Sequence, residues 1–291
     1  MFRQLKFFFL IFILLISCTE RIDINTRNAA PRLSVFGYLT NQPGVHTIKI
    51  TYTAGYFTTE APIGISNAIV SIFDGDNHYI LAENPDTAGV YYTDSLFFAI
   101  EGKTYTLDIS LDFNRDGTNE QYRATALMPF ATRVDSVILS PSQFLPDHPN
   151  LLLYGMVPQI QKNYLALYLQ KNSEESTIFD YFLILTDSYF ESGDSGIING
   201  YEFPCFIRDG IQKGDTISFT VKSFSEDFST FISHARSEVG GSNPIFGGPP
   251  ADVRTNIFAI DNNNTTPIVG YFGAFPQDGK STISDQDFLR H

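Results

Sequence analysis

The sequence predicts a mainly β protein: an N-terminal immunoglobulin-like or transthyretin-like β-sandwich, followed by a second β-rich domain with one embedded helix. Three observations lead there. From Arg32 onward, apolar and polar residues alternate with period two in short runs rich in Val, Ile, Thr, Tyr and Phe. Clusters of Gly, Pro, Asn and Asp punctuate those runs at hairpin spacing. A single stretch, near residues 226–239, carries helical spacing instead.

The first domain, residues 31–131, reads as seven strands: "RLSVFGYLT", "HTIKITYT", "NAIVSIFD", "HYILAEN", "VYYTDS", "TYTLDISLD" and "QYRATALM". The turns between them fall at Asn41–Gly44, Asp74–Asn77, Glu83–Asp86, Glu101–Lys103 and Asp116–Gly117. Seven strands within about 100 residues suit an antiparallel sandwich. The chain has no tryptophan, so the Cys-Trp-Cys core of a true immunoglobulin domain is absent.

Residues 132–291 continue as β in "RVDSVILS", "LLLYGMVP", "NYLALYLQ", "FDYFLILTD", "YEFPCFI" and "DTISFTVKSF". The helix is "SEDFSTFISHARSEVGG". Ser225 is placed to cap it; Phe228, Phe231, Ile232, Ala235 and Val239 share one face, and Gly240-Gly241 stop it. His234 falls off that stripe and reads as solvated. Apolar residues among Gly and Pro in "AGYFTTEAPIGIS" and "SNPIFGGPPADVRTNIFAIDNNNTTP" read as loops that either present a contact surface or fold back over a sheet edge.

At the amino terminus a basic start with Arg3 and Lys6 precedes ten apolar residues, Phe7–Ile16. Ten is too few to span a bilayer, which takes about 20, and fits the core of a secretory signal. Leu15-Ile16-Ser17-Cys18 resembles a bacterial lipobox. Residues 1–17 are therefore expected to be a lipoprotein signal peptide, with Cys18 acylated, palmitate being one such chain. Residues 18–30 then form a polar tether reaching on the order of 20 Å. Anchoring of this kind takes at least two chains, each buried methylene adding about 0.8 kcal/mol.

The 19 basic side chains, two of them before Cys18, face 32 acidic ones. That balance argues against nucleic acid and anionic lipid, which need clustered Lys and Arg. The second cysteine, Cys205, lies among Phe203, Pro204, Phe206 and Ile207 and reads as a small buried hydrophobe without a disulfide partner.

Few fragments suggest chemistry. Asp112, Asn114 and Asp116 followed by Gly117 repeat the first half of a calcium loop. Position twelve is Arg123 rather than a bidentate Glu, so Asn119 and Glu120 would have to complete a shorter loop holding a structural Ca2+; the alternative is a plain Asp-Gly hairpin. Gly193-Asp194-Ser195-Gly196 evokes a protease nucleophile segment, but no matching base motif accompanies it, so no catalytic residue is assigned and no enzyme expected. Thr87, Ser95, Ser136 and Thr216 each follow an Asp in a short pattern like an O-glycosylation sequon.

The lipobox, "RLSVFGYLTNQPGVHTIKITYTAGYF", "SNAIVSIFDGDNHYILAENPDTAGVYYT", "EGKTYTLDIS", "RVDSVILS", "NPIFGGPPADVRTNI" and "VGYFGAF", in that order, resemble the domain-of-unknown-function family 4249. That resemblance implies a Bacteroidota outer-membrane lipoprotein, often encoded beside a TonB-dependent receptor, with no catalytic residues to carry over. The expected function is a non-enzymatic accessory or binding subunit on such a transporter, on the periplasmic face or the cell surface. The competing readings are a cell-surface glycan-binding module or hydrolase, and an adhesion or envelope structural protein.

Overall fold

The computed structural model describes residues 30–54, 61–143, 148–172, 178, 180, 183–186, 196–205, 207, 210–240, 253–261 and 267–288. Among them the chain is mainly β, with four sheets and one helix.

The first sandwich pairs two five-stranded sheets. One runs β16 (Ile268–Phe275), β1 (Leu33–Thr40), β2 (Thr47–Tyr52), β6 (Val90–Tyr92), β5 (Ala82–Glu83). The other runs β15 (Ile257–Ala259), β8 (Glu120–Leu127), β7 (Thr104–Leu111), β3 (Ile69–Phe73), β4 (His78–Ile80). Alternation decides which face each side chain takes. Leu33, Val35 and Leu39 of β1 and Ile48 and Ile50 of β2 are fully buried and share a core with Tyr105, Leu107, Ile109 and Tyr122. Each such aliphatic contributes roughly 1.5–3 kcal/mol by burial. A one-residue slip would send a whole set to solvent, so the register is tightly specified.

The second half contributes a three-stranded sheet, β13 (Ile197–Pro204), β10 (Asn150–Met156), β9 (Arg133–Ser140), and a four-stranded one. The latter runs β12 (Leu183–Thr186), β11 (Tyr164–Lys171), β14 (Thr216–Phe224), β17 (Gln277–Ile283). Between them lies a second core containing Leu151, Leu153, Leu165, Leu167, Phe219 and Val221. Cys205 is buried there, as its apolar neighbours suggest, and burial pushes its thiol up to about 12.

The helix α1 (Glu226–Gly240) is where the sequence places it. Ser225 caps it by accepting the Phe228 N–H, and Glu226 and Asp227 in the first turn complement the helix dipole. His234 is exposed. The apolar face of α1 meets the outer faces of β16 and β14 in a third, aromatic core of Phe224, Phe228, Phe231, Ile232, Tyr271 and Phe275. Gly273 of β16 makes room for the Phe228 ring, which a Cβ there would overlap.

Three strands were not read from the alternation. "NIFAI", read as loop, holds β15: Ile257 enters the first core while Phe258 faces out, 65% exposed. "VGYFGAF" is β16, which pairs parallel with β1, Leu33 facing Ile268 and Thr40 facing Phe275. Phe272 and Ala274 point into the first core and Tyr271 and Phe275 into the third, so both faces are buried and the run is continuously apolar. β17 follows Pro276 and joins β14. Late strands of the chain thus pair within the first sandwich, β16 with β1 and β15 with β8.

Candidate functional site

The outer faces of β1 and β2 carry Phe36, Tyr38, Thr40, Thr47 and Lys49, because the inward positions of those strands are spent on the core. Together with the connecting turn and Ile178 they line a groove of about 750 Å3. Its wall is rigid. Tyr38 stacks obliquely on Phe275, centroids 5.1 Å apart, and Phe36 on Phe231 at 6.2 Å, so both rings are backed by the aromatic core.

The turn from Asn41 to Gly44 is fixed from several sides. Asn41 Oδ1 accepts the Gln277 N–H at 3.0 Å, and the amides of Asn41 and Gln42 both donate to the Gln277 carbonyl. The Gly44 N–H donates to the Phe97 carbonyl. His46 follows, its backbone N–H bonded to Thr93 Oγ1 and its ring packed edge-on against Phe97 at 5.4 Å.

His46 is 6% exposed. Its Nε2 lies 3.0 Å from Thr40 Oγ1, whereas Nδ1 has no hydrogen-bond partner among the described residues. Burial lowers the imidazole pKa, opposed by the carbonyls of Gly44 and Thr40. A hydroxyl bonded to an imidazole is the opening half of an activated nucleophile. Here the other half is missing, since no carboxylate among the described residues bonds Nδ1.

One layer behind the groove, Lys222 of β14 holds its Nζ 4.0 Å from the Tyr168 ring centre and 5.7 Å from that of Phe275. Tyr168 donates to the Ile178 carbonyl at 2.6 Å, linking this cage to the groove wall. Burial lowers the Lys222 pKa to about 8 despite the field of Asp180.

The described residues singled out by motif do not line this groove. In the loop after β7, Asp112 accepts the Asp116 and Gly117 N–H groups at 3.0 and 2.9 Å, and Glu120 accepts the Phe113 N–H and the Asn114 amide. Asn119 donates to Ser110 Oγ. The carboxylates are thus engaged by the loop's own donors, which is what an Asp-Gly hairpin requires. No group of three or more His, Cys, Asp or Glu side chains among the described residues is disposed to hold a metal ion. Thr87, Ser95 and Ser136 are exposed, and Thr216 is half-buried at the start of β14. Cys18 and Ser195 lie outside the described residues.

Sequence reasoning missed Thr40, His46, Lys49 and Lys222. The legible signal was the Asn-Gln-Pro-Gly turn, which brings Thr40 and His46 to one end of a hairpin. Nothing local marks Lys222, whose strand position reads as solvent-facing.

No curated protein matches the chain. A family model described as "Domain of unknown function (DUF4249)" matches residues 19–281, nearly the whole chain. The chain belongs to the DUF4249 family.

Proposed function

We propose that the protein is an outer-membrane lipoprotein, anchored by acyl chains on Cys18, that acts as a non-enzymatic binding subunit docked on a TonB-dependent transporter, capturing cargo or gating its entry. The observation that carries binding is the groove, whose 750 Å3 of space against braced aromatic rings and hydrogen-bonding side chains matches a small-molecule site. Anchoring is supported by the basic start, apolar run and cysteine at residues 3–18. Turnover is not supported by the Thr40–His46 pair, whose imidazole lacks an orienting acid among the described residues.

The test is co-purification. The acylated chain, tagged and solubilised in mild detergent, is expected to bring down an outer-membrane barrel, and Cys18→Ala to leave the membrane fraction. Recovery as a lone monomer in several detergents would overturn the docking reading, and protease shaving of intact cells assigns the face.

A second reading, a glycan-binding module, draws on the outer face of the second sheet. There Asp108 and Arg123 form a two-pronged pair at 2.6 and 3.1 Å beside Ser71, Ser110 and Gln121, in a depression of about 240 Å3. A glycan array distinguishes it: binding abolished by Arg123→Ala would favour this face over the groove.

A further inference from the structure

We infer that the outer face of the second five-stranded sheet, β15-β8-β7-β3-β4, is the contact surface for a second copy of this chain, the two sheets packing face to face about a two-fold axis that runs along the strands between β7 and β8. This goes beyond the binding reading above and does not depend on the groove.

The first argument is the apolar border. The inward positions of these strands are spent on the first core, yet the outward face is not simply polar. Ile69 and Ile80 border it on one side and Phe258 and Ile260 on the other, all four exposed. Single exposed apolar residues are ordinary; four framing one flat face form a surface that gains from being covered.

The second argument is register. The ladders set Ile69, Ser110, Gln121 and Ile260 in one row across the sheet. The next row is Ile80, Ser71, Asp108, Arg123 and Phe258. A two-fold along the strands keeps each row at its own height and exchanges its ends. Ile69 then meets Ile260 of the second copy, and Ser71 and Ile80 meet its Phe258, so each border covers the other twice.

The third argument is charge. Asp108 and Arg123 lie side by side at the centre, bonded at 2.6 and 3.1 Å. The same axis lays Asp108 over Arg123 of the second copy and Arg123 over its Asp108, so four charges alternate in sign around a square. An axis across the strands through this row would set Asp108 against Asp108 and Arg123 against Arg123. The patch is thus complementary to itself in one orientation, and each charge keeps a partner as water leaves. Ser71, Thr106 and Ser110 are short, which lets the sheets approach to the usual spacing of about 10 Å.

The same axis also suits an anchored chain. The polypeptide enters β1 at Leu33, which pairs with Tyr52, whose hydroxyl donates to the Phe113 carbonyl just beyond β7. A two-fold along the strands brings this pole of both copies to the same side. Where the chain is anchored as proposed, both tethers reach one membrane, and confinement there strengthens the contact.

A five-stranded face whose longest strands have eight residues measures roughly 20 by 25 Å. That is the low end of specific interfaces and corresponds to a Kd on the order of 10 μM.

The experiment is sedimentation equilibrium of the chain from Thr19, which keeps every described strand and the helix, up to about 200 μM. A monomer–dimer equilibrium is expected. Ile69→Lys and Ile260→Glu, both at exposed positions, are each expected to raise Kd about tenfold or more. The double variant is expected to return to within about threefold of wild type, because the introduced ammonium and carboxylate face each other only across the interface; within one chain β7 and β8 separate them. A monomer throughout, a dimer indifferent to both single substitutions, or a double variant as weak as the singles each overturns the inference. A monomer that binds a glycan through Arg123 gives this face to the glycan reading instead. Co-purification with a barrel is measured separately on the acylated chain, so the self-contact can fail while the docking reading stands, and the reverse.

Discussion

The Lys222 ammonium lies 4.0 Å from the centre of the Tyr168 ring, with no hydrogen bond or ion pair to Nζ among the described residues. The ring face attracts the cation by about 0.5–2 kcal/mol, while burial disfavours the charge enough to bring the pKa to about 8. Desolvation therefore outweighs the ring.

Lys222→Met is accordingly expected to stabilise the fold by about 1–3 kcal/mol at pH 7, since an apolar side chain of similar length replaces a cation taken out of water. Native Lys222 releases its proton near pH 8, the unfolded chain only near 10.4. Between those values the unfolded state binds more protons, so wild-type stability rises with pH and the advantage of the variant shrinks. Urea titrations at pH 7 and pH 10 check both points; a variant destabilised at pH 7 contradicts this account.

Asp74 at the β3–β4 turn behaves oppositely. Burial raises its pKa, but the Asp76 and Asn77 N–H groups, the Tyr79 hydroxyl and Lys103 outweigh that and bring it to about 2. The resulting stability, about 1–2 kcal/mol after allowance for solvent screening, is complete above the ordinary carboxylate range and disappears as pH falls from about 4 to 2. Asp74→Asn should lower Tm at pH 7 yet match wild type near pH 2. Equal Tm values at pH 7 would show that the turn does not depend on this charge.

Gly270 sits at φ +101° opposite Val35 in the parallel ladder, where a Cβ would land on the Val35 carbonyl. Strain and clash together put Gly270→Val at about 3 kcal/mol of destabilisation, or roughly 6–12 °C in Tm. Circular dichroism melting checks this, and an unchanged melt would mean that β16 is not seated on β1 as described.

Cys205 reports on the second core. With its thiol pushed up to about 12 and its side chain buried, Ellman's reagent should find no reactive thiol in the chain from Thr19 at pH 8, and one after unfolding in guanidinium. Rapid labelling of the native protein would place Cys205 outside the core.

Asp112 caps its loop through two N–H groups, so Asp112→Ala is expected to cost about 1–2 kcal/mol. A cation-held loop predicts in addition that a chelator lowers the wild-type Tm as much as the substitution does. Parallel thermal melts with calcium and with EDTA separate cap from cation.

The strands most legible in the sequence are those with one wet face. "RLSVFGYLT" and "TYTLDISLD" alternate because Leu33 and Leu107 go inward while Ser34 and Asp108 do not. β16 escaped the same reading because both its faces are covered, which erases the alternation from "VGYFGAF". The helix was legible from Ser225 and the Phe228–Phe231–Ile232 stripe, although what the stripe packs on, Tyr271 and Phe275, lies far along the chain. The groove was illegible for a related reason: Phe36 and Tyr38 occupy positions that local pattern assigns to solvent, and only tertiary packing turns that face into a wall. Lys222 is hidden in the same way.

The pairing of β1 with β16 has a temporal consequence. Among the described strands, β1 waits for β16, roughly 230 residues later, so the first sandwich stays ajar until Phe275 has been made. Contacts so distant along the chain also form slowly. If the chain is exported through a pore as proposed, that delay keeps the strand that closes the sandwich out of place until late in synthesis.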